Sequence, residues 1–395
     1  MSARIWVLGW HRVGTGFTRV LERLVAHFSV AAPVLWFGIG DEGPPRLLSA
    51  RIELQPVRTG RGDPVGAYMA CERLREERPA WIFCLNDLWY LEHYARVLGP
   101  VRDGVPMHGY LPLDGDIPDA LALPDLSAFD RLVTYTHAAA DQLRRALERC
   151  GQRLDVGVAG HGVDLDRFHP EPAVEAAVDP LSWRMQAAQA HFGFDAPAMV
   201  VLNASRPDPR KRIDLSLAAF ARLAQGRGPE LKLCLHQAIA HAPIAAVLRE
   251  QASALGIAER LLMWPPTAGA LSDADLNRLY NACAVGLNTS AGEGFGLVSF
   301  EHAAAGVPQV VPDHAALREL WGDAAELAGP VAPIATAHTP LRMGEVAIEG
   351  VAAALGRLLD DPVHYRAAAR RGLERVRRPD LAWARVAHVL QPRLS

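Results

Sequence analysis

A chain of 395 residues is too long for one ordinary hydrophobic core, so two domains are expected at about 100–200 residues each. Half of the residues are apolar, which excludes a disordered chain, and a formal net charge of −3 offers no global attraction to nucleic acid or an anionic membrane. No apolar run reaches the roughly 18–20 residues needed to cross a bilayer, and the five cysteines are scattered without a Cys-x-x-Cys pair, so they read as thiols of a reducing cytoplasm.

The first stretch, Arg4 to Trp10, is a β-rich run. Its charged neighbours, among them Arg12, Arg19, Glu22 and Arg23, do not suit a secretory leader. The turn Val13-Gly14-Thr15-Gly16 follows, and then an amphipathic helix from Phe17 to about Phe28. Its apolar residues Phe17, Val20, Leu21, Leu24, Val25 and Phe28 recur at helical spacing. A dinucleotide fingerprint would need a third glycine at position 19, which is Arg. The literal match at Gly38, Gly40 and Gly43 runs into Pro44-Pro45, which forbids a helix, so it reads as a loop.

Strands are expected at Ala31–Ile39, Arg51–Val57 and Trp81–Leu85, with helices at Pro64 to about Glu77 and at Leu88–Leu98. His108 is placed at the carboxyl end of a further strand, the edge where ligands of open α/β sheets gather. Asp114-Gly-Asp116, Asp164-Leu-Asp166 and Asp273-Ala-Asp275 all imitate an Asp-x-Asp metal motif. A pattern that recurs three times is cheap, and turn or helix-cap chemistry explains these. No metal site is assigned. A strand at Leu132–Tyr135 and a helix at His137–Arg149 come next; the basic residues Arg144, Arg145 and Arg149 read as a solvated face in preference to a membrane contact.

A run at Val156–Val163 and a Pro- and Ala-rich linker at about Glu171–Pro180 lead to a second β/α alternation. Its strands are expected at Met199–Asn203, Leu231–Leu235, Leu261–Trp264 and Ala284–Leu287, and its helices at Ile213–Gln225, Ile244–Leu255 and Asp275–Cys283. Such alternation calls for parallel sheets covered on both faces. After the first of these strands a loop carries Arg206 and Lys211, two cations suited to a diphosphate. After the last comes a glycine-rich turn, Gly292-Glu293-Gly294-Phe295-Gly296-Leu297, opening a short helix that Gly306 and Pro308 stop. Unpaired N–H groups at a helix start favour an anion, and Gly294 and Gly296 clear side chains from its approach. Glu293 precedes that start and Glu301 lies eight residues later inside the helix, so each could hold hydroxyls on one side of the anion.

This string resembles the Glu-x7-Glu signature of retaining glycosyltransferases of family 4, with Glu-Gly-Phe-Gly-Leu intact at 293–297. The pair Arg206 and Lys211 resembles that family's Arg-x4-Lys, although Arg212 stands where the family usually has glycine. The string from Gly162-Val-Asp164 to Phe168 and Pro170 resembles the one before the family's interdomain crossing. The resemblance implies the GT-B architecture, an α/β fold of two Rossmann-like domains with parallel sheets facing a central cleft. The domains are expected at 1–172 (acceptor side) and 173–379 (nucleotide sugar), with a last helix at 380–392 returning to the first. It further implies metal-independent, retaining transfer of a sugar from a nucleotide-diphosphate donor to a hydroxyl acceptor, with no cofactor. In that reading Arg206 and Lys211 stabilise the leaving diphosphate, together with the N–H groups of Gly294 to Leu297. Glu293 orients sugar hydroxyls, Glu301 binds the ribose, and His108 contacts the transferred sugar or lies near the acceptor. Gly14, Thr15 and Gly16 face the donor phosphates and the acceptor, and the stretch from Met263 through Trp264 to Thr267 holds the base. Competing readings are a hydrolase, phosphorylase or epimerase on the same fold, a silent nucleotide-sugar-binding subunit, and a nicotinamide-dependent oxidoreductase. The last lacks the glycine fingerprint it would need.

Overall fold

A computed structural model describes residues 3–59, 62–236, 242–265, 270–336 and 339–392. The chain divides into two compact units. One comprises Met1–Gly162, Ala337–Leu341 and Pro379–Ser395, and the other Val163–Thr336 and Arg342–Arg378.

In the first unit the elements are β1 (Ile5–Trp10), α1 (Gly16–Ala31), β2 (Val34–Ile39), β3 (Arg46–Ser49), β4 (Ile52–Val57), α2 (Ala67–Leu74), β5 (Trp81–Leu85), α3 (Leu88–Leu98), β6 (Met107–Tyr110), β7 (Arg131–Thr134), α4 (His137–Arg149) and β8 (Asp155–Val158). They build an eight-stranded sheet in the order β3-β4-β2-β1-β5-β6-β7-β8. All pairings are parallel except that of β3 with β4. Strands β2 and β5 are buried along their whole length, as parallel strands covered on both faces must be. Helix α1 buries Val20, Leu21, Leu24, Val25 and Phe28. The helix expected from Pro64 to about Glu77 is shorter at both ends, and its start is set by Gly66, which caps it in the left-handed conformation at φ +78°.

The second unit contains α5 (Pro172–Glu175), α6 (Pro180–Phe192), β9 (Met199–Asn203), α7 (Ile213–Ala224), β10 (Leu231–His236), α8 (Ala242–Ala254), β11 (Leu261–Trp264), α9 (Asp273–Ala282), β12 (Val285–Leu287), α10 (Leu297–Ala304), β13 (Gln309–Pro312), α11 (Ala315–Trp321), β14 (Glu326–Ala328), β15 (Val331–Thr336), the part of β16 (Thr339–Val346) from Arg342 onward, α12 (Ile348–Asp360) and α13 (Pro362–Val376). A six-stranded parallel sheet runs β11-β10-β9-β12-β13-β14, and β15 and β16 form a separate two-stranded sheet. Its core packs Val201, Leu217, Phe220 and Leu233 with Leu355, Leu358 and Tyr365.

Arg184 of α6 is 1% exposed and donates to the carbonyls of Asn281, Ala305 and Gly306 at 2.7, 2.8 and 3.0 Å. One buried cation thus satisfies the carboxyl ends of α9 and α10, where carbonyls lack helical partners and carry partial negative charge. Helix α14 (Trp383–Leu390), the last of the chain, belongs to the first unit. Its end is held there by Arg131, which donates to Val389 O at 3.0 Å, and by His108. Among the described residues no helix is long and apolar enough to cross a membrane.

Candidate functional site

In the second unit the strand order reverses direction between β9 and β12, which are neighbours in the sheet though not in sequence. Ligands of open parallel sheets bind at the carboxyl ends of strands at such a switch point. The two loops that meet there are those carrying Lys211 and Glu293, and Ala291 N donates to Arg210 O at 2.8 Å to join them.

Glu293 is 8% exposed. Its Oε1 accepts from Lys211 Nζ at 2.5 Å, Ser290 Oγ at 2.9 Å and Asn288 Nδ2 at 3.2 Å. Oε2 has a longer contact of 3.4 Å with Arg210, whose guanidinium also bonds Gly292 O. Burial pushes the carboxyl upward, but the charges of Lys211 and Arg210, with hydrogen bonds from Lys211 and Ser290, outweigh it and bring the pKa down to about 2. Glu293 is therefore a fixed carboxylate with one crowded oxygen and one less committed oxygen. Arg206 is exposed at the start of the same loop.

A buried polar chain sets the loops against each other. Asn203 Nδ2 donates to Ser216 Oγ at 2.8 Å, Ser216 Oγ meets Thr289 Oγ1 at 2.7 Å, and Thr289 Oγ1 donates to Arg212 O at 2.9 Å. Asn203 Oδ1 also takes Ser205 N at 2.9 Å. Arg210 and Arg212, which flank Lys211, each have a defined place. Arg212 is left-handed, with φ 48° and ψ 53°, the conformation a glycine adopts freely and other residues adopt at about 1–2 kcal/mol. Its side chain pairs with Asp214, at 3.0 and 2.8 Å, and with Glu345 of β16.

Helix α10 starts behind Gly296, left-handed at φ +81°. Phe295 turns inward at 2% exposure and stacks on Phe300 (centroids 4.5 Å apart), which stacks on Trp321 at 4.2 Å. Its side chain belongs to the core, so only its backbone can serve the turn. Glu301 is 4% exposed and has Tyr280 Oη at 3.4 Å from Oε2. Trp264 ends β11, with His236 Nδ1 2.9 Å from its carbonyl oxygen and its ring against His191 and Phe192. Thr267, expected beside it, lies outside the described residues.

In the first unit, Gly14 turns at φ +82° and Thr15 caps α1 by accepting from Thr18 N at 3.3 Å. A Cβ at Gly16 would meet nothing within 4 Å, so this residue lines open space. His108 corrects an expectation. It is the second residue of the four-residue strand β6, not its carboxyl end, and it is buried. Its Nδ1 lies 3.0 Å from Leu390 O of α14, its ring lies 5.6 Å from that of Trp81 at the start of β5, and burial lowers its pKa. Its contacts are those of a packing residue at the amino edge of the sheet. Among the described residues no group of three or more His, Cys, Asp or Glu side chains is arranged to hold a metal ion.

The family described as Family 4 Glycosyltransferase in conflict systems matches residues 168–390, more than half of the chain. The chain belongs to this family. Its matched region contains both loops of the switch point and the α10 turn. A curated relative, D-inositol 3-phosphate glycosyltransferase of Streptomyces avermitilis, is 30% identical over 252 residues, covering 58% of this chain and 50% of the relative. The chain spans about half the length of the curated relatives it matches. Among solved structures, sucrose-phosphate synthase from Thermosynechococcus elongatus superposes with a TM-score of 0.74 at 17% identity, over 98% of this chain and 97% of that one. Anabaena HepE in complex with UDP and glucose gives a TM-score of 0.66 at 17% identity, over 98% of each chain. At these identities the likeness concerns the fold, which is GT-B.

Proposed function

We propose that this family 4 member is a retaining glycosyltransferase that moves a sugar from a nucleoside diphosphate donor to a hydroxyl acceptor in a reducing cytoplasm. The observation that carries the reading is the meeting of Lys211 and Glu293 at the switch point, beside the glycine turn that opens α10. Names and ligands among its relatives and structural neighbours, a D-inositol 3-phosphate glycosyltransferase and a complex with UDP and glucose, support a nucleotide-sugar donor.

Departure of a diphosphate leaves an electron-poor sugar, so the protein's task is to position the groups and to stabilise developing negative charge. Lys211 and Arg206 supply cations, and the N–H groups of Gly294 to Leu297 supply donors, so protein groups can do what a metal ion does elsewhere. A diphosphate entering the site draws on Lys211 and so partly replaces Glu293 as its counter-ion. Glu293 Oε2, the less committed oxygen, then accepts sugar hydroxyls. With a pKa near 2 this carboxylate is no proton donor at neutral pH. Glu301, buried in α10, is assigned to the ribose.

The test is incubation of the full chain with UDP-, GDP- and ADP-sugars, with and without glucose 6-phosphate or inositol 3-phosphate, followed by product analysis. Acceptor-dependent release of nucleoside diphosphate with the donor's anomeric configuration kept is expected. Release of free sugar at the same rate without any acceptor contradicts transfer as the reaction.

A further inference from the structure

The loop carrying Lys211 is braced by a strand outside the main sheet. Strand β16 reaches both loops of the switch point: Gly344 N donates to Ala291 O at 2.7 Å, and the neighbouring Glu345 pairs with Arg212. The approach is close. A Cβ on Gly344 would lie 2.5 Å from Val331 Cγ1 and 3.0 Å from His314 Cε1, and His314 Nε2 lies 2.8 Å from Ser290 O. Arg212 directly follows Lys211 and precedes the first residue of α7, so its left-handed backbone sets the direction in which Lys211 leaves the turn. Arginine has no local preference for that conformation, and contacts around it must hold it there. Asp214 and Glu345 grip the guanidinium from two elements, while Thr289 grips the carbonyl.

We propose that Arg212 and Glu345 form a clamp by which the two-stranded β15–β16 sheet positions Lys211 for the donor diphosphate. Neither residue touches the ligand; both are positioning residues, and the proposal rests on the diphosphate reading of Lys211. A glycine at 212 could adopt the same backbone without strain, but it would leave the turn free to carry Lys211 elsewhere. Pre-organisation of a binding cation by locked neighbours lowers the ordering cost of binding without adding a contact.

The experiment is calorimetric titration of the full chain with whichever of UDP, GDP and ADP binds the parent, on Arg212→Gly, Arg212→Lys, Glu345→Gln and the double variant Arg212→Gly/Glu345→Gln. Thermal midpoints are recorded in parallel. Arg212→Gly and Glu345→Gln should each weaken the nucleotide at least about fivefold, the lower end of usual coupling between sites. Their midpoints should stay within about 4 °C of the parent, a small shift for a domain of this size. The double variant should bind no worse than the weaker single one, and Arg212→Lys should recover part of the affinity. Parent-like binding by both Arg212→Gly and Glu345→Gln, while Lys211→Ala loses the nucleotide, overturns the clamp. So does an affinity loss that merely tracks a falling midpoint. Parent-like binding by Lys211→Ala overturns the diphosphate reading itself.

Discussion

The ammonium of Lys211 lies 2.5 Å from Oε1 of Glu293, a residue 82 positions away in sequence. The contact joins the loop after β9 to the loop after β12, the two strands between which the sheet order turns. Each charge therefore fixes the other at the one edge of this sheet suited to a phosphorylated ligand.

Breaking that pair from one side should be costly. Loss of one partner from a buried ion pair costs about 3–5 kcal/mol, and Arg210 beside Glu293 keeps Lys211→Met at the lower end. Pairing it with Glu293→Gln removes the stranded charge and should restore most of the stability. Urea unfolding of the two single variants and the double measures this as a cycle.

Acid should unfold the protein in two stages. His161 and His302 are buried with pKa values lowered to about 3, against 6.5 when unfolded. The unfolded state takes up these protons first, so stability declines as pH falls from about 6.5 toward 3. Glu293 titrates near 2 when folded and near 4.5 when unfolded. Its contribution is complete above about pH 4.5 and is lost as pH falls toward 2, roughly 3 kcal/mol in all. Glu293→Gln should flatten only the more acidic stage of a stability–pH profile, and His302→Gln the earlier one.

His108→Phe should lower the thermal midpoint and leave nucleotide affinity unchanged. The ring is buried against Trp81 and bonded to Leu390 O, so its loss costs about 1–3 kcal/mol, read in thermal unfolding.

Much of the sheet framework is written in short apolar runs. Trp81–Leu85 and Met199–Asn203 occupy the strands their composition predicts, because a strand buried on both faces needs an unbroken apolar string. Gly296 marks the α10 turn for a similar reason: only glycine takes its φ without strain. Other features depend on contacts distant in sequence. His108 sits in a four-residue strand, where a shift of two positions exchanges one sheet edge for the other. Nothing in an arginine announces the left-handed backbone of Arg212, and Arg210 acquires its partners from residues 82 and 83 positions away. Strands β15 and β16 carry Pro333, Pro340 and Gly344, which conceal both strands from any reading of periodicity.

The most direct measurement is calorimetric titration of the full chain with UDP, GDP and ADP, repeated on Arg206→Ala and Lys211→Ala. At least one nucleotide should bind the parent, and each substitution should weaken it at least about tenfold, equivalent to about 1.4 kcal/mol. Absence of binding by all three, or an unchanged affinity in Lys211→Ala, would contradict a diphosphate site at Lys211 and Glu293.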